Sequence, residues 1–243
     1  MNTEDQPKLR KINVRFFLQR IVNFARVFTG NREVSGYPLY MYVSYCKKKM
    51  QFRTMYGEVY TDVKHCNKNM LELEERVVCK IIRHEHARIG LDKSYEMRGL
   101  AQRHDVYANS LYTATETYLK NKLRLAILST NDERFHALDM SPGAGSNTVH
   151  ILYEVAGLVL NGFQQKIKPE LKREIEVYKS VLPVIRSKGA YDFPTVIDWV
   201  DGSFEKILQA ELANNKKGND QVLKEAADLF TKACKQIERQ LPA

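Results

Sequence analysis

The chain has 243 residues, of which 44% are hydrophobic and 28% charged, and it carries a formal net charge of +9. This composition is typical of a globular protein with its own apolar core, and it excludes disorder over most of the length. The four cysteines form no CxxC pair, and no signal-type segment or membrane-length apolar run is visible. We therefore expect reduced thiols and a protein that is cytoplasmic or held in a nucleoprotein or virion assembly, not secreted.

The positive charge is concentrated at the beginning of the chain. Residues 1–53 contain 11 Lys and Arg against 3 Asp and Glu, a net charge of +8. Residues 54–130 carry +2 (12 against 10), and residues 131–243 carry −1 (15 against 16). This asymmetry predicts an anionic partner for the N-terminal part, and nucleic acid is the commonest such partner.

The first periodic segment covers residues 9–28. Its aromatic and aliphatic residues recur at spacings of four, three and four, which predicts one face of an α-helix that Gly30-Asn31 would end. The members of this stripe are Phe17, Ile21, Phe24 and Phe28. A strand over residues 12–18 is the alternative interpretation, because that stretch is short and bulky.

The next segment predicts β-structure. Two runs that alternate in polarity, residues 39–46 and 50–56, flank Lys47, Lys48 and Lys49, and a third short run follows Gly57. Alternation with period two, rich in Tyr, Val, Phe and Thr, predicts a three-stranded antiparallel meander with a basic turn.

The strand-turn-strand pattern followed by a helix resembles the small arm-type DNA-binding domain at the front of some bacterial phage-type integrases. The matching residues are 38–45, then 52–54, then a helical stretch over 74–88. The resemblance covers less than a third of the chain and implies DNA binding by this part. His65-Cys66-Asn67 stands where an aromatic often follows the strands, and no recombinase Arg…His-x-x-Arg…Tyr constellation follows.

The rest of the chain is predicted to be helical. A stripe of Leu73, Val77 and Ile81 ends near Gly90, and a second segment begins near Asp92 or Ser94 and stops near residue 129. A polar breaker at 139–148 then precedes helices over 149–163, 169–185, 194–212 and 220–241. The prediction is a mainly α fold, α+β overall, in which a helical bundle accompanies a small antiparallel β-meander. It comprises a basic helix-plus-meander module (1–66), a helical pair (67–138) and the bundle (148–243).

No catalytic, metal or cofactor motif is present. His65, Cys66, Cys79, His84 and His86 lie within 22 residues, but they lack the paired short spacings of a zinc site. The histidines, serines and carboxylates elsewhere form no nucleophile elbow or recognisable triad. We assign no catalytic residue, cofactor, metal or small-molecule substrate, although an enzyme whose site assembles only in three dimensions stays possible.

The basic N-terminal module is therefore the candidate site. Tyrosine rings on a sheet stack on bases, and clustered cations neutralise phosphates. The predicted nucleic-acid-binding residues are Arg15, Arg20, Arg26, Tyr40, Tyr42, Lys47, Lys48, Lys49 and Arg53.

The predicted function is that of a non-enzymatic nucleic-acid-associated structural or assembly protein, of nucleocapsid, ribonucleoprotein or virion-connector type. The helical part would make oligomer contacts, for which Tyr191, Phe193, Pro194 and Trp199 are candidate anchors. Three alternatives stay open: an ordinary half-buried sheet face, an acidic protein or membrane surface as partner, and a pure assembly or adaptor subunit that binds by strand addition.

Overall fold

The computed structural model describes residues 10–20, 25–29, 32–129, 167–186, 189, 191–214, 220–239 and 241. Its fold is mainly helical with a small antiparallel sheet in the N-terminal region, as the sequence predicts. The described strands are β1 (Asn13–Leu18), β2 (Ala25–Thr29), β3 (Arg32–Tyr45), β4 (Lys48–Arg53) and β5 (Val59–Tyr60). The described helices are α1 (Lys68–Ile89), α2 (Leu100–Tyr107), α3 (Leu111–Leu128), α4 (Pro169–Ile185), α5 (Val196–Val200), α6 (Ser203–Asn214) and α7 (Asp220–Glu238), with a 3₁₀ turn at Val63–His65.

The chain forms two compact units. The first, called the sheet unit, contains the described residues of Met1–Ala108 and Ser187–Ile197, and the second, the helical unit, those of Asn109–Arg186 and Asp198–Ala243. The predicted breaker at 139–148 and the predicted helix at 149–163 lie outside the described residues. The predicted division of the chain into 1–66, 67–138 and 148–243 remains a prediction. None of the described helices is long and apolar enough to cross a membrane.

The prediction of a helix over residues 9–28 is wrong for the part of this segment that the structure describes. Phe17 lies in β1 and Phe28 in β2, and both strands pair antiparallel with β3; Ile21 and Phe24 lie outside the described residues. The alternative strand interpretation matches β1, in which Val14, Phe16 and Leu18 alternate with Asn13, Arg15 and Phe17. The helical spacing failed because β-branched and aromatic residues pack better on a pleated sheet, and pairing with β3 overrode the local pattern.

The predicted hairpin is present, but its turn and third strand differ from the meander prediction. Only Cys46 and Lys47 form the turn, both with positive φ (49° and 64°), as a two-residue hairpin of type I′ requires. Lys48 and Lys49 belong to β4. The short strand β5 pairs with Tyr37 and Pro38 of β3 rather than with β4.

One face of the sheet forms the core of the sheet unit. Leu39, Met41, Val43 and Tyr45 alternate along β3 and are each at most 2% exposed. Helices α1 and α2 cover this face: the Tyr45 hydroxyl is 2.7 Å from Nδ1 of His86, and the Phe52 ring lies 5.3 Å from that of His104. Asn67 caps α1 by accepting from the amides of Asn69 and Met70. The predicted helix with the stripe of Leu73, Val77 and Ile81 is confirmed.

The segment after α1 is not the helix that the sequence predicts. Residues 91–99 contain no helix, and α2 begins at Leu100 after Gly99, whose φ is +75°. Tyr95 and Met97 are buried with the two-residue period of extended chain, and the Tyr95 hydroxyl donates to Glu85 at 2.6 Å. These tertiary contacts replace the helical bonds that the local pattern favours. A second break separates α2 from α3, where the Ser110 hydroxyl accepts from the Thr113 amide.

A buried polar pair lies beneath the sheet. Glu74 of α1 and His104 of α2 are both fully buried, with Oε2 of Glu74 2.8 Å from Nε2 of His104. The other carboxylate oxygen of Glu74 accepts from the Tyr56 amide at 2.8 Å. The contact with His104 is a close polar approach without hydrogen-bond geometry, and Nδ1 of His104 also lacks a hydrogen bond among the described groups. Since burying either group alone is costly, this pair ties α1, α2 and the end of the hairpin together.

The helical unit is built on α3, α4 and α7. Its fully buried residues include Leu119, Leu123, Tyr178 and Phe230. Two buried carboxylates are matched across the helices: Glu116 accepts from the Tyr178 hydroxyl, and Glu174 is 2.7 Å from Lys122 and 3.1 Å from Lys232. The predicted helix Pro169–Ile185 is confirmed at both ends. The predicted segment 194–212 is two helices, since Gly202 adopts a φ of +76° between α5 and α6.

We expect Glu74→Ala to lower the free energy of unfolding by about 3–5 kcal/mol, because it leaves the His104 ring buried beside an empty, unpaired position. The double variant Glu74→Leu/His104→Leu should lose less free energy of unfolding than the sum of the losses in the single variants Glu74→Leu and His104→Leu. Urea denaturation of the four proteins gives the coupling energy. Additive costs would show that the two groups do not depend on each other.

Cys234 should be the least reactive thiol among the cysteines. It is 3% exposed, and burial raises its pKa from 9.0 to about 12. The folded state therefore retains the thiol proton between pH 9 and 12, where the unfolded state loses it, so this residue lowers the free energy of unfolding as pH rises through that window. Iodoacetamide at pH 8 should modify the partly exposed Cys46, Cys66 and Cys79 before Cys234, which should react only in urea, as peptide mass spectrometry will report. Equal rates in native protein would contradict this.

Candidate nucleic-acid interface

The pairing register places three strands side by side. Strands β1 and β4 both pair with residues 40–44 of β3, so they must lie on its two opposite edges. Directly paired residues project their side chains to the same face. The face opposite the buried core is therefore made of three rows across the strands: Phe17–Tyr40–Arg53, Arg15–Tyr42–Gln51 and Asn13–Ser44–Lys49.

We call these nine residues the outer face. Its charged members are Arg15, Lys49 and Arg53, all exposed, and none of the nine positions holds a carboxylate. The cations lie on the two flanking strands, one on β1 and two on β4, while the central strand supplies tyrosines. A cationic margin around an aromatic centre follows directly from the register.

The aromatic centre consists of Phe17, Tyr40 and Tyr42, all partly exposed. The Phe17 and Tyr40 rings pack with their centroids 6.0 Å apart and their planes tilted by 40°. Tyr42 is two residues further along β3, about 6.5 Å away by strand geometry. The three rings thus lie on the same solvent side of the sheet, with Phe17 and Tyr40 in contact.

The lysines at the hairpin separate into different environments. Lys49 lies on the outer face, whereas Lys48 pairs in register with Tyr45 of the buried row and forms an ion pair with Glu96. Lys47 is exposed at the turn. A run of three lysines in the sequence therefore supplies one cation to the outer face, one to its end and one to the opposite side.

Two predicted arginines lie outside the outer face. Arg20 is exposed just after β1, at the end of that strand away from the hairpin turn. The pKa of the Asp62 carboxyl is lowered mainly by a hydrogen bond from the Lys64 amide, and the nearby charge of Arg20 lowers it further. Arg26 lies in β2, paired with Ser35 in the other half of β3. The structure thus brings together Arg15, Tyr40, Tyr42, Lys49 and Arg53 from the predicted set.

Further cations collect at the hairpin end of the sheet. Arg10 and Lys11 are exposed immediately before β1, whose first residue Asn13 pairs with Ser44 near the turn. Burial raises the pKa of Tyr45, and the nearby guanidiniums of Arg10 and Arg83 partly oppose that rise. The positive field of the outer face is therefore extended at this end.

The sequence prediction missed four members of the outer face: Asn13, Phe17, Ser44 and Gln51. Phe17 belongs to the predicted helical stripe, and the other three are uncharged polar residues without a motif. Alternation over residues 12–18 was the signal available for Asn13 and Phe17. Only pairing across the strands identifies Ser44 and Gln51 as neighbours of the cations.

His86, one of the histidines considered for a metal site, makes other contacts through both ring nitrogens. Nε2 of His86 is 3.0 Å from the Lys93 carbonyl and Nδ1 is 2.7 Å from the Tyr45 hydroxyl, so both ring nitrogens are engaged. Within the described part of the chain, no group of three or more His, Cys, Asp and Glu residues is arranged to hold a metal ion.

A groove in the helical unit is lined by charged groups that pair with one another. It has a volume of about 510 Å³ and lies along α4 and α7. Arg173 is 2.8 Å from Glu225, and Lys232 is 2.7 Å from Asp228. The first contact joins α4 and α7 and the second lies within α7, and Lys232 also reaches Glu174 of α4 at 3.1 Å, so these charges neutralise one another as expected of helix packing.

Comparison of the chain with protein-family models, curated proteins and solved structures finds no match. The functional argument therefore depends on the geometry and chemistry of the outer face.

Proposed function

We propose that this chain is a non-enzymatic, nucleic-acid-associated structural protein that contacts its partner through the outer face. The observation that carries the proposal is the juxtaposition of three exposed cations and three partly exposed aromatic rings on one carboxylate-free sheet surface. Cations of this kind neutralise phosphates and release condensed counterions, which makes binding strong at low salt and weak at high salt.

The aromatic rings favour nucleic acid over the other anionic partners. Clustered cations also suit an acidic protein surface or an anionic membrane, but neither presents a regular series of flat π-systems to rings held on a rigid sheet. Bases supply such faces, and stacking on Phe or Tyr accompanies phosphate contacts in many nucleic-acid-binding sheets.

The proposal extends to assembly through contacts of the helical unit. The candidate anchor Trp199 serves packing within the chain, since its ring lies 5.2 Å from that of Phe230 and its Nε1 donates to Thr231. Among the described residues of this unit, Leu125 and Ile207 are large apolar side chains that are exposed, by 67% and 53%, and could contact another copy. Single exposed residues of this kind are also common on monomers, so self-association is the secondary part of the proposal.

Substitution of the three outer-face cations tests the main proposal. Arg15→Gln, Lys49→Gln and Arg53→Gln together should weaken binding of a labelled single strand at least tenfold at low salt. They should also lower the slope of log K against log [salt] by about 2, since three phosphate contacts are lost. Fluorescence anisotropy at several salt concentrations measures both. A matched control, Lys206→Gln, Lys224→Gln and Lys235→Gln, removes the same charge from exposed positions of the helical unit.

The adjacent lysines of the hairpin provide a finer test of the same surface. Lys49→Gln should reduce affinity, whereas Lys48→Gln should leave it close to wild type, because Lys48 lies on the other side of the sheet and pairs with Glu96. Equal effects of the two substitutions would show that net charge, and not the outer face, governs binding. Failure of the wild type to bind at low salt would refute the proposal, and salt-resistant oligomers in light scattering would then favour a pure assembly protein.

A further inference from the structure

We infer that the outer face takes single-stranded nucleic acid and that its tyrosines each stack on one unpaired base. This inference rests on the proposed function and specifies its ligand. Three observations lead to it: the spacing of the rings, the position of the cations relative to them, and the rigid support beneath the sheet.

Ring spacing favours separated bases. Tyr40 and Tyr42 are successive members of one face of β3, so their Cα atoms are about 6.5 Å apart and their rings start from positions farther apart than stacked bases. Stacked bases within one strand of a duplex are 3.4 Å apart and cover each other's faces. A duplex therefore presents no base face to either ring, whereas a single strand with splayed bases offers one base to each tyrosine.

Phe17 fixes the aromatic platform on one side. Its ring is 6.0 Å from that of Tyr40 and comes from β1, so the platform is wider than one strand. Three rings on neighbouring strands match the two or three bases that sheet platforms stack in single-strand recognition. Phe17 has no hydrogen-bonding group in its side chain, so its partly exposed ring can contribute to binding only by packing against an apolar or aromatic surface.

The cations are placed to hold a backbone beside the stacked bases. Arg15 is paired in register with Tyr42 and Arg53 with Tyr40, so each tyrosine has a guanidinium on the adjacent strand, about 5 Å away at the backbone. Lys49 extends the row of cations toward the hairpin end. Phosphates on either side of a base stacked on the central tyrosines therefore meet a cation of β1 or of β4.

The support beneath the sheet keeps the platform in place. Met41 and Val43, which alternate with Tyr40 and Tyr42, are fully buried, and the following Tyr45 contacts His86 of α1. The tyrosines therefore project from a strand that is anchored on its other face, which lowers the ordering cost of binding.

The test compares labelled 12-nucleotide single strands of RNA and DNA with the corresponding DNA duplex, by fluorescence anisotropy at one salt concentration. We expect the duplex to bind at least tenfold more weakly than a single strand. Tyr42→Leu should reduce single-strand affinity about 5- to 150-fold, the value of one stacked base, and leave the salt slope unchanged. Tyr42→Phe, which keeps the ring, should retain affinity within about twofold. Tyr40→Leu and Tyr40→Phe repeat the comparison at the second ring, with circular dichroism as a check on folding.

Separate outcomes refute the inference and the proposed function. Duplex affinity equal to or above that of the single strands, or full single-strand affinity of folded Tyr42→Leu and Tyr40→Leu proteins, would overturn stacking while leaving the proposed function standing. Loss of affinity in Tyr42→Phe as large as in Tyr42→Leu would also overturn it, because the hydroxyl and not the ring would then be the contact. Absence of binding to every probe would refute the proposed function itself. A preference for RNA over DNA, or the reverse, within single-strand binding identifies the source and supports the inference.

Discussion

The pairing register of β3 with β1 and β4 is the constraint on which the sheet unit depends. Side chains alternate along a strand, so a shift of one residue would exchange the buried and exposed faces. The observed register sends Leu39, Met41, Val43 and Tyr45 into the core and gathers cations and rings on the other side. Burial of the apolar row is the larger energetic contribution, and the outer face is its geometric consequence.

Polar contacts under the sheet determine where the covering helices sit. His86 bridges the Tyr45 hydroxyl and the Lys93 carbonyl, and Glu74 joins the Tyr56 amide to His104. Apolar packing alone is tolerant of small shifts, whereas each of these buried groups requires its partner at a defined position. The helices are thereby held on the inner side, and the outer side is left to the polar and aromatic residues of β1, β3 and β4.

The helical unit satisfies buried charge in a different way from the sheet unit. Glu174 lies between lysines of α3 and α7, and Glu116 receives the Tyr178 hydroxyl. Burial and this carboxylate raise the pKa of Tyr178 well above its usual range, which keeps the hydroxyl as a proton donor. These contacts determine how α3, α4 and α7 pack together. They also pair charged groups that line the groove along α4 and α7. Under the proposed function, the basic sheet unit contacts the anion and the near-neutral helical unit serves assembly.

The sequence by itself determined the elements whose signals are local: the hairpin around Cys46, α1 with its apolar stripe, and α4 between Pro169 and Ile185. It also located the excess charge and named five of the nine outer-face residues. Tertiary structure decided the rest. Pairing with β3 made β1 a strand despite helical spacing at Phe17, and burial of Tyr95 and Met97 accompanies a non-helical segment at residues 91–99. Lys48 and Lys49 are neighbours in the sequence, yet cross-strand pairing assigned them to opposite faces, because the register of partners distant along the chain is set by burial of the whole sheet and not by any local pattern.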